Sequence, residues 1–287
     1  GGQTPSSAAG SSGAAALKAI GRFDDVPVGI AVSRDGRIFF AMSRAIDEKE
    51  PFSVAEWKSG TLTPFPPGFR QDRGAPDATR LLSVQALTVD ARNRLWMLDC
   101  GRIDNDDAQP GSAKLVAVDL GSNRAAQTIA FPAAVAGATS FPNDVVVDLK
   151  RGSGGVAFLT DASPKGPNGL LVVDLATGTV RRRLNDHPST RPAPGFIAQV
   201  EGRPLVFKSG PTAGQPLRIG ADGIALDSDG RHLFYSPLSS RHWYRVDADA
   251  LADPGRGDEE IARTVEDLGD KGFASDGMLG TADGRVS

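Results

Sequence analysis

Oxygen-bearing side chains stand at the start of the short apolar strands that recur along this sequence. Asn143, Asp222 and Asp276 each precede such a strand, and Gln85 precedes another. Because Ca²⁺ takes carboxylate and amide oxygens as ligands, Asn143, Asp222 and Asp276 form a candidate Ca²⁺ site if these strands start side by side. Asn and Asp before a strand also cap their own turns by accepting backbone N–H groups. The residues alone leave both interpretations open.

A second set of polar side chains follows the partner strands of the same hairpins. Its members are Asp99, Arg102, Asp161, Lys165 and Arg241. Arg and Lys at these positions can hold an anionic or carbonyl-bearing ligand, as a planar fork or as a point charge. Each of them can equally be an ordinary loop charge in water. Taking both sets together, the predicted ligand-binding residues are Gln85, Arg102, Asn143, Asp161, Lys165 and Asp222.

Other residue types that carry chemistry are sparse. The lone Cys100 can form neither an intramolecular disulfide nor a cysteine-based zinc site. The three histidines, His187, His232 and His242, form no pair at metal-ligand spacing. The sequence also has no G-x-S-x-G elbow, P-loop or dinucleotide-binding glycine fingerprint. No catalytic residue is therefore predicted.

A repeated hairpin supplies the elements that would position these side chains. Five segments share an apolar strand, a turn around Asp-Gly or its equivalent, and a second apolar strand. They span residues 29–40, 86–97, 144–161, 223–235 and 277–285. A second hairpin follows most of them, so each unit is four short antiparallel strands, which is a propeller blade. The first strand of each blade would line a central channel, and both polar sets would meet at its mouth.

The space between the repeats and the overall composition set further limits. The proline-rich residues 186–216 are interpreted as a long loop rather than another blade, and Arg181–Arg183 as a solvated face of an edge strand.

The chain has 287 residues, 40% of them hydrophobic, and a net charge of −3, which gives no reason to expect nucleic acid or an anionic membrane as a partner. It has no apolar run of the ~20 residues that a membrane helix needs.

The first residues have a different composition from the rest. Gly1–Leu17 are almost entirely Gly, Ser and Ala, which bury too little apolar surface to offset the entropy cost of ordering. We therefore expect residues 1–20 to be a disordered leader and residues 21–287 to form a single β-propeller domain. The leader is consistent with export after removal of a signal peptide, which predicts a periplasmic or secreted protein.

Three ordered pairs of motifs resemble those of the yellow/major royal jelly protein family. They are Val84–Asp90 with Leu95–Arg102, Phe141–Asp148 with Phe158–Asp161, and Gly220–Leu226 with Leu233–Leu238. The resemblance runs from about Phe23 onward. It implies an all-β fold, a six-bladed β-propeller of four-stranded antiparallel blades. The sixth blade is then missing or truncated in this chain. The alternative interpretation of the repeats is a ring of five units.

The resemblance also implies a function. Several members of the family bind small molecules, which predicts a ligand at the mouth of the central channel. Gluconolactonase-like and regucalcin-like propellers are similar in architecture and bind a divalent cation with a first-blade glutamate, but this chain has Pro27-Val28 there. A cation-dependent lactonase-like hydrolase and a dopachrome-type isomerase are the alternatives. A binding protein predicts a mixed pocket without convergent carboxylates, whereas a hydrolase predicts a cation on Asn143 and Asp222. The oligomeric state is left open.

Overall fold

Short antiparallel strands are the main regular elements of the computed structural model, which describes residues 19–104, 106–281 and 283–286. The first sheet contains β1 (Gly29–Val32), β2 (Ile38–Ala41), β3 (Val54–Lys58) and β4 (Thr61–Pro64). The second contains β5 (Val84–Val89), β6 (Arg94–Asp99), β7 (Lys114–Asp119) and β8 (Arg124–Ala130). The third contains β9 (Pro142–Asp148), β10 (Val156–Asp161), β11 (Gly169–Asp174) and β12 (Val180–Arg183). A small hairpin follows, of β13 (Gln199–Val200) and β14 (Arg203–Pro204). The fourth sheet contains β15 (Ala221–Leu226), β16 (His232–Pro237), β17 (His242–Asp247) and β18 (Glu266–Asp270).

Each four-stranded sheet follows the order of the sequence, so neighbouring strands are joined by hairpins. The turn between β5 and β6 explains why the repeated motif folds in this way. The Asp90 side chain accepts the backbone N–H groups of Arg92 and Arg94, and Asn93 adopts a positive φ of 58°. Asn tolerates that left-handed conformation better than most residues. The turn chemistry therefore fixes where each inner hairpin reverses.

The core lies between consecutive sheets. Phe39 and Met97 belong to a buried cluster that joins the first and second sheets, Trp96 and Leu171 to one that joins the second and third, and Phe158 with partners in β16 to a third cluster. The inner strands β1, β5, β9 and β15 pack side by side in that order. Sheets that pack face to face with their inner strands around one axis form a β-propeller. The predicted fold is confirmed.

The described residues contain four complete blades and the beginning of another unit. Gly280 pairs with Val286 in an antiparallel bridge, and Gly277 approaches so closely that a Cβ on Gly223 would meet its carbonyl carbon at 3.0 Å. The fifth inner segment thus packs on β15, as the repeat predicts. A total of six blades stays a prediction that rests on the resemblance. The expected leader lies outside the described residues except for Ala19 and Ile20.

The long stretch between the third and fourth blades is not a blade. It holds a 3₁₀ helix (Pro188–Thr190), the β13–β14 hairpin and an antiparallel bridge between Val206 and Pro216. Two short helices, α1 (Ala248–Ala252) and α2 (Asp258–Ala262), connect β17 to β18 and were not predicted. Within the described part of the chain, no helix is both long and apolar enough to cross a membrane.

The arginine run was misread from the sequence. Arg181–Arg183 do lie on the outermost strand, β12. However, Arg182 forms an ion pair with the buried Asp161, and Arg183 donates to the carbonyl oxygens of Asp253 and Arg256. Arg183 is buried against the α1–α2 connection rather than solvated. A charged edge strand here helps to join elements of the fold.

Candidate functional site

A cavity of about 690 Å³ opens where the inner strands begin. Part of its wall is apolar, formed by Val28, Ile30, Ile46, Phe141, Leu217, Ile219, Leu238 and Met278. Another part is polar, and we call this group the polar row: Gln85, Asn143, Asp144, Asp222 and Asp276. The residues that the sequence places before the inner strands therefore do line one cavity. In the first blade the equivalent position is apolar, because Val28 lies there.

A β-bulge positions each member of the polar row that lies in a strand. In β5, Val84 pairs with Asp99 and Ala86 with Leu98, which leaves Gln85 as the extra residue. Asp222 is the extra residue of β15 in the same way. In β9, Asn143 and Asp144 together face the single residue Thr160 of β10. Bulges redirect side chains and are frequent beside functional sites. The first blade has no bulge at this level, since β1 pairs with β2 in unbroken register.

Hydrogen bonds link the row across three blades. Gln85 Nε2 donates to Asn143 Oδ1 at 3.1 Å, and Asn143 Nδ2 donates to Asp222 Oδ1 at 2.7 Å. The hydroxyl of Thr160 donates to the Asp222 carbonyl at 2.6 Å and accepts the Asp144 backbone N–H at 3.2 Å, so it ties two bulges together. Gln85 Oε1 is buried and accepts no hydrogen bond from the residues that the structure describes. A buried acceptor without a donor is costly, which makes it a contact point for a ligand.

Two carboxyl groups of the row, those of Asp144 and Asp222, resist ionisation. Burial raises the pKa of Asp222 well above its usual range, and so do the nearby charges of Asp276 and Asp144 and a hydrogen bond with Asp276. The amide of Asn143 acts in the opposite direction. Burial also raises the pKa of Asp144 to about 7, against backbone N–H groups that lower it. These groups therefore hold protons that a bound cation would displace.

Two of the strand-end carboxylates have structural partners instead. Asp99 is fully buried and accepts the backbone N–H groups of Leu82, Ser83 and Gly101 at 2.8–3.0 Å. Its other contact is the ammonium of Lys114 at 3.1 Å. Asp161 is equally buried; it accepts the backbone N–H groups of Phe141 and Ser163 and pairs with Arg182 at 2.7 Å. Both residues hold the loops that lead into inner strands, and neither lines the cavity.

The three remaining strand-end residues also lie outside the main cavity. Arg102 is buried, donates to the carbonyl oxygens of Thr139 and Ser140 at 3.0 and 3.1 Å, and lies over the ring of Phe141. Lys165 is half exposed and pairs with Asp107 at 2.6 Å. Arg241 pairs with Asp270 at the surface. Of the six predicted ligand-binding residues, the structure thus brings together Gln85, Asn143 and Asp222.

The sequence reasoning missed one member of the row, Asp144. The only signal was its place next to Asn143, and ordinary alternation would send it to the opposite face of β9. The pocket is mixed in character, as expected of a binding protein, but its carboxylates converge, which that interpretation did not expect. This convergence makes the site attractive to a positively charged group.

The polar row offers some of the ligands that a metal ion needs. Its amide and carboxylate oxygens are of the type that Ca²⁺ prefers, and Gln85 Oε1 is a free oxygen. Against this, Asn143 directs an N–H donor towards Asp222, and the first-blade position is Val28. Over the described ranges, no group of three or more His, Cys, Asp or Glu side chains is arranged to hold a metal. The donors fit in kind, so Ca²⁺ on Asn143, Asp222 and Asp276 stays a proposal.

Likeness to one solved structure supports the fold. A hydrazine synthase structure of Kuenenia stuttgartiensis superposes with a TM-score of 0.55 at 14% identity, covering 93% of this chain and 72% of that one. A gluconolactonase structure of Xanthomonas campestris matches with a TM-score of 0.48 at 13% identity, over 92% of this chain and 70% of that one. At such identities the first likeness concerns the fold alone.

Sequence comparison identifies the family. Major royal jelly protein 6 of Apis mellifera is 25% identical over 174 residues, which are 59% of this chain and 36% of that protein. The chain therefore spans little more than a third of that relative's length. The sequence model of the family described as "Major royal jelly protein" matches residues 82–285, which is well over half of the chain. This chain belongs to the major royal jelly protein family.

Proposed function

We propose that this protein binds a small organic molecule in the cavity at the channel mouth, and that the polar row receives an ammonium group of that molecule. The observation that carries the proposal is the juxtaposition of an apolar wall with three carboxyl groups and an unpaired amide oxygen. The cavity of about 690 Å³ lies within the range of small-molecule sites.

The chemistry of an ammonium group suits the row. It carries three N–H donors and a positive charge, and the row offers Gln85 Oε1 together with the carboxyl oxygens of Asp144, Asp222 and Asp276. No lysine or arginine within the described residues forms an ion pair with these three carboxyl groups, so no cation from these residues competes with the ammonium group of a ligand. Carbon atoms of the ligand would meet Ile46, Leu217 and their neighbours, where burial contributes roughly 25 cal/mol per Å².

A matched pair of ligands tests the proposal. Hexylamine and 1-hexanol have the same chain and differ in the charged head, so calorimetry at pH 8 should give at least tenfold tighter binding for the amine, since hydrogen bonds to charged groups are the stronger ones. Gln85→Leu removes the free acceptor and should weaken the amine several-fold more than the alcohol. Lys165→Ala, outside the cavity, is the control. Equal affinity for the two ligands, or no binding of either, would refute the proposal.

The same carboxyl groups favour one second candidate, a divalent-cation-dependent hydrolase of lactones. Asn143, Asp222 and Asp276 would hold the ion, which when bound would polarise a carbonyl group or activate water. The protein would orient the lactone against the apolar wall of the cavity. No feature of the described residues favours the isomerase alternative. Export likewise stays a prediction.

Calcium titration distinguishes the two candidates. A hydrolase should bind CaCl₂ after chelator treatment, lose that binding in Asp276→Asn, and open lactones only with the ion present. A binding protein should bind hexylamine whether or not chelator is added. Lactone hydrolysis that survives chelator would contradict the metal-dependent candidate.

A further inference from the structure

A second, smaller cavity of about 240 Å³ adjoins the one at the channel mouth. The two share four apolar wall residues, which are Ile46, Phe141, Leu217 and Ile219. The new part of the wall comes from Val206, Phe207 and Lys208, in the insertion between the third and fourth blades, and from Arg102 and Asp104. A molecule that passes these shared residues would reach from one cavity into the other.

Backbone hydrogen bonds hold the insertion in place. Leu205 N donates to Ala198 O at 2.8 Å, and Leu217 N donates to Leu205 O at 2.9 Å. Phe207 exchanges two bonds with the returning chain: its N–H donates to Gln215 O at 3.0 Å and its carbonyl accepts Gly214 N–H at 2.9 Å. The wall formed by Val206 and Phe207 is therefore a paired segment whose position the chain defines without any ligand.

Apolar side chains around the second cavity remain open to solvent. Ile46, from the loop between β2 and β3, is 54% exposed, and Val206 is 40% exposed. They lie far apart in the sequence and border the same space. Exposed apolar surface that lines a concave site marks a place for a ligand or partner.

The two cavities also differ in charge. Among the described residues, the wall of the main cavity has three carboxyl groups and no lysine or arginine, whereas that of the second has Arg102 and Lys208 against Asp104. Lys208 is exposed and forms no ion pair with any described residue. An ammonium group would be attracted to the first cavity and repelled from the rim of the second.

We propose that the second cavity is a subsite for the apolar tail of a ligand whose ammonium head lies on the polar row. The ligand class is an amphipathic monoamine with an alkyl or aryl tail long enough to pass Ile46 and Leu217. A diamine of the same length is disfavoured because its second charge would approach Lys208. This inference rests on the proposed function and adds the ligand's length and polarity to it.

A chain-length series provides the test. The affinity of n-alkylamines from propyl to octyl should rise by about fourfold for each methylene that enters the second cavity. 1,8-Diaminooctane should bind at least tenfold more weakly than octylamine. Phe207→Ala should reduce octylamine affinity several-fold and leave propylamine unchanged. Phe273→Ala is the matched control, because Phe273 is 59% exposed and borders neither cavity.

The possible outcomes distinguish failure of the proposed function from failure of the proposed subsite. If no amine binds, the proposed function fails and the subsite with it. If amines bind but affinity is independent of chain length, or the length dependence is unchanged in Phe207→Ala, the subsite is refuted while ammonium recognition stands. Val206→Ser gives a second variant of the same wall if Phe207→Ala does not fold. Loss of the length dependence in either variant supports the subsite.

Discussion

Two groups of aspartates on one face of the propeller show how partners decide the role of a carboxyl group. Asp99 and Asp161, at the ends of second strands, each accept two or three backbone N–H groups and pair with a basic side chain. Asp144 and Asp222, in the bulges of inner strands, form no ion pair with a lysine or arginine of the described residues. Asp144 accepts the backbone N–H of Val145, Asp222 accepts the amide of Asn143, and both lie near other carboxyl groups. The sequence placed Asp99, Asp161 and Asp222 next to repeated strands as candidate site residues and did not single out Asp144.

The difference shows what a bulge achieves here. In regular register the second-strand aspartates turn back into the loops and satisfy their hydrogen bonds within the fold. The bulged residues are pushed out of the ladder towards the channel, where no lysine or arginine of the described residues pairs with Asp144 or Asp222. Carboxylates paired with a basic side chain stabilise the protein, whereas those without a basic partner leave capacity for a positively charged ligand. A basic partner therefore distinguishes the structural aspartates from the candidate binding residues.

Removing a carboxylate that is paired with a basic side chain should have the largest effect. Asp99→Ala leaves three backbone N–H groups without their acceptor. It also leaves the buried Lys114 ammonium without its counter-charge and with the neutral carbonyl of Ser112 as a partner. Breaking a buried ion pair from one side costs about 3–5 kcal/mol, so urea denaturation should show a loss of that size. The double variant Asp99→Ala/Lys114→Met should recover part of it, because the stranded charge is gone. A double variant no more stable than the single one would contradict the ion-pair explanation.

Replacing a carboxyl group that has no basic partner should instead stabilise the protein. The pKa of Asp144 is raised from 3.8 to about 7, so between these pH values the folded protein holds a proton that the unfolded chain has released. The protonated Asp144 carboxyl therefore makes its full contribution to folding stability below pH 4, and this contribution is lost as the pH rises through 7. Asp144→Asn cannot ionise and should be more stable than wild type at pH 8, by about 1–2 kcal/mol since the group is partly exposed.

Urea midpoints at pH 5, 6, 7 and 8 measure this difference. The gain should shrink towards pH 5, where wild-type Asp144 is protonated as well. Asp107→Asn is the control, because a hydrogen bond from Lys165 lowers the pKa of Asp107 and keeps it ionised in both states over this range. Equal pH slopes for wild type and Asp144→Asn would show that Asp144 is not the titrating group. Hexylamine binding to wild type should tighten over the same rise in pH.

The sequence predicted the blades, and with them the meeting of Gln85, Asn143 and Asp222, because a repeated hairpin puts equivalent positions at equivalent places. It could not predict the bulges, since one extra residue in a strand is visible only in the pairing with its neighbour. Asp144 was missed for that reason. The partners of Asp99 and Asp161 lie on third and fourth strands, whose register depends on packing. No local sequence pattern in the insertion predicted that Val206 and Phe207 line the second cavity.

The smallest effect is expected at Lys165, which the sequence grouped with the ligand-binding residues. Its ammonium pairs with Asp107 at 2.6 Å, and both side chains are about half exposed. Pairs of this kind contribute little to stability because water and salt screen them. Lys165→Ala should leave the urea midpoint unchanged within error and hexylamine affinity within about twofold, in contrast to Gln85→Leu. Calorimetry on Lys165→Ala and Gln85→Leu shows whether the ligand contacts the strand-end residues or the polar row. A large loss of affinity in Lys165→Ala would move the ligand towards the strand-end residues and away from the polar row.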